Sequence, residues 1–525
     1  MDVTKFPAVP GSSSLILSLA GEKNEELITA ITNADDRVRL VEIRLDGLSE
    51  EPALAAFRTA CRRPLLATLR CEQEGGRRRF PDSERRRILL AALEAGFDFI
   101  DVEGFSGIAS DPEIVLQRSR TILSFHDLTG VPGDLAERAR TLARQAPVAV
   151  KVVGTAMRLG DCRRLFELLS SWQGPIPIAA FAMGEAGTAS RVLAPYLGSA
   201  LTYVSRSEAG ETAPGQLSAD RAIGCYGLER EFLRPAEKLF GVAARNPARS
   251  DSPLLHNSFF RRIGFPGLYL PLPVANWADE FADLFEVQSA GFLGSGIPLE
   301  GLSVTIPWKR DAWSSATSRS PEADETGAAN TLVRNPAGFL ADNTDLTGLV
   351  EVLSRIGIDQ TAEAVVLGAG GSARAALAAL RRFGGPVTLC GRSENARELA
   401  SGAGVRFVRW EAGEDVPSAQ LYVHATPMGA SDEDPAPVPE RRLGEGVAVV
   451  DLVYRRGGTR LVLSARKQGA RAVDGHALLV AQGARQAARF LGRPVTSAEF
   501  LGDTPIGDPS LRDFFASPGV RGANA

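Results

Sequence analysis

Short apolar runs recur at regular intervals between residues 14 and 207, and segments with helical periodicity separate them. Alternation of such runs with segments in which apolar residues return every three or four positions indicates strands alternating with helices. The strand-like runs are residues 14–20, 39–46, 64–70, 97–103, 120–127, 146–154, 175–184 and 201–207, and the helical segments include 83–95 and 161–171. Eight strands alternating with helices in this length predict a (β/α)8 TIM barrel, and an α/β fold for this part of the chain.

Charged side chains fall at or near the carboxyl ends of five predicted strands. They are Glu42, Arg44, Asp46, Arg70, His126, Asp127, Lys151 and Arg191. In a TIM barrel the catalytic residues gather at this end of the strands. Lys151 is the most informative, because it interrupts the apolar run 149–154; burial favours a neutral amine, which forms Schiff bases with ketones and aldehydes. The alternative is a strand-end lysine whose ammonium reaches water, but charges on five strands favour a chemical site.

A second pattern lies in the other half of the chain. The apolar run 364–367 leads into Gly368-Ala369-Gly370-Gly371-Ser372-Ala373 and then an alanine-rich helical segment. A strand, a glycine turn and a helix in this order indicate a Rossmann domain whose helix N-terminus faces a pyrophosphate. Arg392 and Ser393 follow the next predicted strand, where NAD enzymes carry an acidic residue, so a 2′-phosphate and therefore NADP is expected. The alternative is a doubly wound domain that binds another nucleotide or none.

Composition narrows the class of protein. The 525 residues are 44% hydrophobic, enough to form two or three hydrophobic cores. The net charge of −4 disfavours nucleic acid or an anionic membrane as a partner. No apolar run is long enough to span a membrane. The five cysteines lack metal-site spacing, so we expect no metal and a reducing compartment. The first dozen residues contain no arginine, so we expect a bacterial cytoplasm rather than a plastid. Arginines 77–79 and 85–87 are expected on solvated faces.

Residues 13–220 resemble the type I 3-dehydroquinate dehydratases. The motifs are Glu42-Ile43-Arg44-Leu45-Asp46, Arg70, Glu74-Gly75-Gly76, Asp101-Val102-Glu103, Ser124-Phe125-His126-Asp127, Lys151, Ser190-Arg191 and Ala213-Pro214-Gly215-Gln216. The resemblance implies that Lys151 forms an imine with the substrate's C3 ketone. It casts His126 as general base and acid, with Glu74 beside it. It assigns substrate contacts to Glu42, Arg44, Arg70, Arg191, Thr212 and Gln216, with Thr212 standing where the family usually has serine. A class I aldolase or a transaldolase, which use the same lysine chemistry, is the alternative.

Residues 237–500 resemble the shikimate dehydrogenases. The motifs lie at 250–257, 304–309, 327–331, 342–345, 425–429, 451–454 and 475–482. The resemblance implies Lys309 and Asp345 as the catalytic pair. It implies a substrate pocket of Ser250, Ser252, Thr305, Asn330, Tyr454 and Gln482, and coenzyme contacts from Gly368, Ala369, Gly370, Gly371, Ser372, Ala373, Arg392, Ser393 and Thr426.

The chemistry of carbonyl reduction agrees with this pair. Hydride transfer to a ketone needs a proton donor, and an ammonium held by a carboxylate supplies one; an ordinary surface ion pair is the alternative. Three residues depart from the family pattern, since Ser303, Gly391 and His424 stand where asparagine is usual. We expect the first to loosen a substrate contact and the others to affect the coenzyme side.

Together these patterns predict a barrel at 13–226, a substrate-binding domain at 237–345 completed by about 475–500, a Rossmann NADP-binding domain at 346–474 and a partly ordered tail at 502–525. Residues 227–238 are expected to form a short helical linker. The combined activity would convert 3-dehydroquinate to 3-dehydroshikimate and then, with NADPH, to shikimate. We expect only small-molecule partners and a monomer or homodimer. The alternatives are a Schiff-base aldolase barrel fused to a quinate dehydrogenase, and a scaffold that has lost its activity.

Overall fold

The structure is a computed structural model that describes residues 13–228, 233, 235–285, 290–411, 414–431, 433–455 and 457–516. Its contacts divide the chain into two compact units. Unit 1 is Met1–Pro253 with Phe265–Leu299, and unit 2 is Leu254–Gly264 with Glu300–Ala525. Residues 229–232 and 234 of the predicted helical linker lie outside the described residues. The predicted domain bounds follow sequence motifs, and they stay a prediction.

Unit 1 contains a curled sheet of nine strands in the order β7-β6-β5-β4-β3-β2-β1-β8-β9. The strands are β1 (Ser14–Ala20), β2 (Leu40–Arg44), β3 (Leu65–Thr68), β4 (Phe99–Glu103), β5 (Thr121–His126), β6 (Ala149–Thr155), β7 (Ile178–Met183), β8 (Leu201–Ser205) and β9 (Leu217–Ser218). The helices are α1 (Asn24–Thr32), α2 (Leu54–Ala60), α3 (Asp82–Glu94), α4 (Pro112–Leu116), α5 (Leu135–Ala143), α6 (Arg163–Ser171), α7 (Thr188–Leu193) and α8 (Ala219–Gly224). All paired strands are parallel, and the Ala200 amide donates to the Ile178 carbonyl between β8 and β7. The predicted TIM barrel is confirmed.

Residues two positions apart on these strands share the inward face, and they form an apolar layer followed by a polar layer along the barrel axis. Ile16, Leu40 and Ile122 belong to a buried cluster inside the barrel. Parallel register then sets Ser18 of β1 beside Glu42 of β2, and Ser124 of β5 beside Lys151 of β6. Because the carboxyl ends of all eight barrel strands point the same way, the polar side chains meet at one end of the barrel.

Unit 1 also includes part of the second half of the sequence. It contains β10 (Lys238–Ala244), β11 (Gly267–Pro273) and α10 (Trp277–Phe285), and α9 (Ser252–Arg262) begins there. Strands β10 and β11 pair in parallel. The buried Glu280 of α10 accepts hydrogen bonds from the Leu159 amide of the barrel, at 3.2 Å, and from the Ala275 and Asn276 amides. The Phe166 ring of α6 also packs on Phe292, so these segments and the barrel form one compact body.

Unit 2 begins with a small mixed sheet. Its elements are β12 (Leu299–Val304), α11 (Lys309–Ser315), β13 (Ser318–Arg319), α12 (Pro321–Thr326), β14 (Thr331–Asn335), β15 (Gly338–Asp342) and α13 (Thr344–Arg355). Strand β14 is antiparallel to β12 and to β15, whereas β13 runs parallel to β15. Thr305 therefore follows the end of β12, Asn330 lies immediately before β14, and Asp345 follows the end of β15 at the start of α13.

The rest of unit 2 is a six-stranded parallel sheet followed by helices. Its elements are β16 (Ala364–Leu367), α14 (Gly371–Leu380), β17 (Val387–Gly391), α15 (Glu394–Ala403), β18 (Arg406–Arg409), β19 (Leu421–His424), β20 (Ala448–Asp451), α16 (Arg460–Lys467), β21 (Arg471–Val473), α17 (Gly475–Leu491), α18 (Ser497–Leu501) and α19 (Ser510–Ala516). The strand order β18-β17-β16-β19-β20-β21 is that of a Rossmann domain. The predicted Rossmann fold is confirmed, and its switch point lies between β16 and β19.

Three further observations bear on the sequence predictions. Among the described residues, no helix has the length and hydropathy that a bilayer crossing requires. Nor does this part of the chain group three histidine, cysteine or acidic side chains as metal ligands. In the predicted tail, residues 502–516 are described and include α19, whose Leu511 and Phe515 are buried, whereas 517–525 lie outside the described residues.

Candidate active sites

Lys151 lies in the middle of β6 with its side chain inside the barrel. The residue is 5% exposed. Its Nζ donates to Asp101 Oδ2 at 3.1 Å and lies 3.9 Å from Glu42 Oε1. The ring of Tyr203 covers the ammonium from a third side, with 4.2 Å between Nζ and the ring centroid. The lysine is therefore not the isolated buried charge that its apolar run suggested, because two carboxylates and an aromatic face surround it.

Both carboxylates are held by further groups. Asp101 accepts hydrogen bonds from Arg70, at 2.8 Å, and from the Ser124 hydroxyl. Burial alone would raise the pKa of Asp101, but Arg70 and Lys151 overcome that effect and hold it below its ordinary value. Glu42 accepts hydrogen bonds from the hydroxyl groups of Ser18 and Thr68. Asp101 and Ser124 lie within predicted motifs but were given no role there, and Ser18 and Thr68 were not singled out at all.

His126 lies at the end of β5, beside Glu74. One carboxylate oxygen, Glu74 Oε2, is 3.0 Å from His126 Nδ1 and accepts the His126 backbone N–H at 2.9 Å. This partner assigns the ring proton to Nδ1 and leaves Nε2 unprotonated. Burial, with Arg70 and Lys151 adding to it, holds the pKa of His126 well below its ordinary value. The imidazole is therefore neutral near pH 7 and is available as a base.

Burial raises the pKa of Glu74 to about 7, with Arg70 opposing the shift. The folded protein then binds more protons than the unfolded chain between the ordinary glutamate pKa and about 7, so stability is lost as the pH rises through that interval. Glu74→Gln keeps the acceptor oxygen and removes the titration. At pH 8 we expect the variant to be more stable than the parent by up to about 3 kcal/mol, and at pH 4.5 to match it.

Thermal melting of the full chain at the two pH values measures this difference. Glu72→Gln, at an exposed neighbouring position, is the matched control and should melt as the parent does at both pH values. The same dependence of melting temperature on pH in the parent and in Glu74→Gln would contradict the assignment.

The remaining predicted barrel residues line the same end of the sheet. Arg191 is buried with its guanidinium 4.8 Å from the Phe181 ring centroid, and among the described residues its Nε has no hydrogen-bond partner. Burial lowers the pKa of Arg191 to about 10. The Thr212 hydroxyl lies 2.9 Å from Ser18 Oγ and 3.0 Å from Gln216 Oε1. Arg44 forms a two-point ion pair with Asp46, at 2.8 and 2.9 Å.

One expectation about the barrel is wrong. Arg85 was expected on a solvated face, but it is 2% exposed and its guanidinium pairs with Glu103, the Leu69 carbonyl and Asp82. Glu103 in turn accepts a hydrogen bond from Arg70 at 3.0 Å. Arg85 therefore helps to hold Glu103, which binds Arg70, and Arg70 in turn binds Asp101 beside Lys151.

Unit 2 brings Lys309, Asp345, Asn330 and Gln482 together. Lys309 begins α11, and its Nζ lies 2.5 Å from Asp345 Oδ2 near the start of α13. The other oxygen, Asp345 Oδ1, accepts from Asn330 Nδ2 at 2.9 Å, and the same amide group lies 3.3 Å from Gln482 Oε1. Asn330 Oδ1 accepts the Thr344 backbone N–H at 2.8 Å, which fixes the amide orientation. A lysine held by an oriented carboxylate is an effective proton donor.

Four other predicted substrate residues have defined positions. Thr305 follows β12, and its carbonyl accepts the Trp308 amide at 2.9 Å. Tyr454 is exposed, and its ring lies 5.2 Å from the ring of His476, centroid to centroid. Ser250 and Ser252 lie in unit 1, where the Ser252 amide donates to Ser250 Oγ at 3.2 Å.

The glycine turn after β16 has the shape of a pyrophosphate cradle. At Gly368, φ is +114°, and a Cβ would lie 2.7 Å from the Ala425 carbonyl oxygen. Gly370 precedes α14, and a Cβ there would meet nothing within 4 Å, so space remains in front of the helix N-terminus. Ser372 and Ala373 continue this first turn, and no side chain of the described residues caps it. A dinucleotide pyrophosphate fits such an uncapped, glycine-lined helix start.

The other predicted coenzyme residues follow the strands on either side of β16: Arg392 and Ser393 come after β17, and Thr426 after β19. Arg392 is exposed after β17, and Ser393 caps α15 by accepting the Ala396 amide. The Thr426 hydroxyl lies 2.5 Å from Nε2 of the buried His424, whose Nδ1 is 2.9 Å from Asp451 Oδ1. His424 was noted in the sequence as a departure, but this buried pair, which ties Thr426 to the end of β20, was not foreseen.

Both halves of the chain are similar in sequence to known enzymes. Residues 15–232 match the family profile of type I 3-dehydroquinase, and residues 242–332 match that of the shikimate dehydrogenase substrate binding domain. The chain is 27% identical over 524 residues to an Arabidopsis thaliana protein, the chloroplastic bifunctional 3-dehydroquinate dehydratase/shikimate dehydrogenase, covering 94% of this chain and 84% of that protein. It is 37% identical over 259 residues to a shikimate dehydrogenase (NADP(+)) of Acidiphilium cryptum, covering 49% of this chain and 91% of that relative.

A solved structure is similar over the second half. It is the shikimate 5-dehydrogenase of Thermus thermophilus in complex with NADP(H) and shikimate, 32% identical with a TM-score of 0.44, covering 50% of this chain and 96% of that one. Fold, site geometry and sequence relatives thus define a fusion of a TIM-barrel lyase with a Rossmann dehydrogenase. The chain belongs to the family of bifunctional 3-dehydroquinate dehydratase/shikimate dehydrogenases.

Proposed function

We propose that one chain carries out two consecutive reactions of the shikimate pathway. The barrel dehydrates 3-dehydroquinate to 3-dehydroshikimate, and the dehydrogenase reduces that ketone to shikimate with NADPH. The observation that carries the proposal is the presence in one chain of two different lysine sites, Lys151 with His126 in the barrel and Lys309 with Asp345 in unit 2. The product of the first reaction is the substrate of the second.

In the barrel, the Lys151 amine attacks the C3 ketone, and loss of water gives an iminium. Asp101 and Glu42 flank Nζ and stabilise the positive charge of this intermediate. The iminium withdraws electrons from C2, and His126 removes the C2 proton through Nε2 while Glu74 holds Nδ1–H. The same imidazole then protonates the C1 hydroxyl as it leaves as water. Hydrolysis of the imine restores the amine, so the net change is the loss of one water molecule.

The substrate carboxylate binds at Arg191 in this proposal. Within the part of the chain that the structure describes, the buried guanidinium has an unpartnered Nε, and its pKa is lowered to about 10, so an anion placed there would supply both a hydrogen bond and charge balance. Glu42, Arg44, Arg70, Thr212 and Gln216 surround the same end of the barrel and would orient the ring hydroxyl groups.

In the dehydrogenase, Lys309 donates a proton to the carbonyl oxygen as the ketone is reduced. Asp345 holds the ammonium at 2.5 Å, and Asn330 fixes the carboxylate. NADPH, when bound, supplies the hydride. The glycine turn at 368–371, with Ser372 and Ala373, would hold its pyrophosphate, and Arg392, Ser393 and Thr426 its ribose. Ser250 and Ser252 would bind the substrate carboxylate, and Thr305, Asn330, Tyr454 and Gln482 its ring oxygens.

Arg392 should select the coenzyme. If its guanidinium binds the 2′-phosphate, activity with NADPH should far exceed activity with NADH. Arg392→Gln should raise the KM for NADPH by the equivalent of about 1.5–3 kcal/mol, the contribution of a charge-assisted contact. Steady-state kinetics with both coenzymes measure this effect. Arg381→Gln is the matched control: this arginine follows the C-terminal end of α14, away from the glycine turn, and its replacement should leave the KM for NADPH unchanged. Equal use of both coenzymes by the parent would refute the assignment.

A coupled assay tests the whole proposal. Purified protein given 3-dehydroquinate and NADPH should form shikimate with equal consumption of NADPH. If neither 3-dehydroshikimate nor shikimate formed, the dehydratase assignment would be wrong. If the enzyme oxidised quinate faster than shikimate in the reverse direction, the second activity would be that of a quinate dehydrogenase.

Finally, we propose that the enzyme acts in the cytoplasm as a monomer or homodimer. The five free cysteines suit a reducing compartment, and the net charge of −4 suits small-molecule substrates rather than nucleic acid.

A further inference from the structure

Arg221 connects the barrel to the substrate-binding loop of the dehydrogenase. This arginine lies on α8, within the segment that matches the 3-dehydroquinase family, whereas Ser250 lies within the segment that matches the shikimate dehydrogenases. Arg221 Nη2 donates a hydrogen bond of 2.8 Å to the Ser250 carbonyl oxygen. Both residues belong to unit 1. A side chain of the first enzyme therefore holds a residue that the second enzyme uses.

The other groups of Ser250 are also held. Its amide donates to the Pro247 carbonyl at 3.0 Å, and its Oγ accepts the Ser252 amide at 3.2 Å. With Arg221 on the carbonyl, the backbone of Ser250 is fixed on both sides. Because Oγ acts as an acceptor toward Ser252, the hydroxyl hydrogen can be donated elsewhere.

Arg221 is itself anchored. Its backbone N–H donates to the Ser218 hydroxyl at the start of α8, and the neighbouring Ala222 and Ile223 are buried in the barrel. The side chain is partly buried and thus has fewer conformations to lose when it binds the Ser250 carbonyl. A planar guanidinium on a fixed helix is a rigid support for a loop.

We propose that Arg221 is a positioning residue of the dehydrogenase, which orients the Ser250 hydroxyl toward the substrate carboxylate. The inference rests on the proposed function, since it requires Ser250 to bind that carboxylate. Arg221 lies outside the segment that matches the shikimate dehydrogenase family and inside the segment that matches the 3-dehydroquinase family. In this chain the barrel therefore contributes to substrate affinity at the second site, beyond supplying that site with its substrate.

Kinetics of the full chain test this role. Arg221→Ala should raise the KM for 3-dehydroshikimate about 5- to 30-fold, because the serine loop is no longer held, and should change kcat less than about twofold. The KM for NADPH should stay at the parent value. Dehydratase activity of the same preparation reports whether the barrel is folded and should also be unchanged. Arg140→Ala, an exposed arginine on α5, is the matched control and should alter none of these values.

Two further variants separate positioning from simple stabilisation. Arg221→Lys keeps the charge and one donor and should recover part of the affinity. In a double-mutant cycle, Ser250→Ala should remove most of the effect of Arg221→Ala, because the arginine acts through Ser250. Additive effects, or an equal loss of both activities, would overturn the inference. A parent enzyme that did not reduce 3-dehydroshikimate would instead overturn the proposed function, and an active parent with an unchanged KM in Arg221→Ala would overturn only the role of Arg221.

Discussion

Lys151→Ala should abolish dehydration of 3-dehydroquinate and leave reduction of 3-dehydroshikimate at the parent rate. Loss of a covalent nucleophile lowers turnover by roughly 10⁴–10⁶-fold, because neither the imine nor the acidic C2 proton can form. His126 would remain neutral and in place but would face an ordinary ketone. The dehydrogenase should be unaffected, because Lys151 lies inside the barrel and its described partners, Asp101, Glu42 and Tyr203, lie there too.

Borohydride trapping identifies the lysine directly. Reduction in the presence of 3-dehydroquinate or 3-dehydroshikimate converts the imine to a stable amine, and peptide mass spectrometry should map the added mass to Lys151. Lys23→Ala, at an exposed position, is the matched control and should be trapped as efficiently as the parent. The imine mechanism would be excluded if the added mass mapped to another lysine, or if borohydride and substrate added no mass to the protein.

The sequence could predict which strands carry the barrel site, but not how the charges pair. Lys151 stood out because an ammonium interrupts an apolar run. Its partner Asp101 is 50 positions away on β4, two strands along the sheet from β6. Which side chains meet across a barrel depends on strand register and stagger, and hydrophobic periodicity along one strand does not contain that information.

Arg85 shows the same limit on a helix. A run of three arginines favours a solvated face, and Arg87 is exposed as expected. The first turn of α3 nevertheless directs Arg85 toward the barrel, where it pairs with Glu103. A buried arginine is tolerated only when a carboxylate compensates it, and here that carboxylate lies on strand β4, 18 positions later in the sequence.

Two of the three departures from the family pattern, Ser303 and His424, are explained by residues distant in sequence. Ser303 was expected to loosen a substrate contact, but its hydroxyl is buried and lies 2.7 Å from Gln486 Oε1, whose amide nitrogen contacts the Asn330 carbonyl at 3.1 Å. His424 is likewise bound by Asp451, 27 positions later. Comparing motifs shows that the asparagine is absent, but only the folded structure shows which residue binds the side chain that replaces it.

Lys309→Ala should give the largest effect in the dehydrogenase. As proton donor to the forming alkoxide, Lys309 acts in the transition state, so its loss should lower kcat by roughly 10²–10⁴-fold. Binding of 3-dehydroshikimate should weaken less, since Ser250 and Ser252 would still hold the carboxylate. The coenzyme cradle should survive, because Lys309 approaches Gly371 only with its aliphatic stem, 3.6 Å from where a Cβ would lie.

The accumulated intermediate provides the measurement. Given 3-dehydroquinate and NADPH, Lys309→Ala should build up 3-dehydroshikimate, which the conjugated enone makes visible by its absorbance, while the parent should proceed to shikimate. Arg310→Ala changes the neighbouring exposed cation and should behave as the parent. Normal shikimate output from Lys309→Ala would show that another group donates the proton. Loss of both activities would show that the substitution disturbs folding beyond unit 2, because Lys151 and His126 remain unchanged in the barrel.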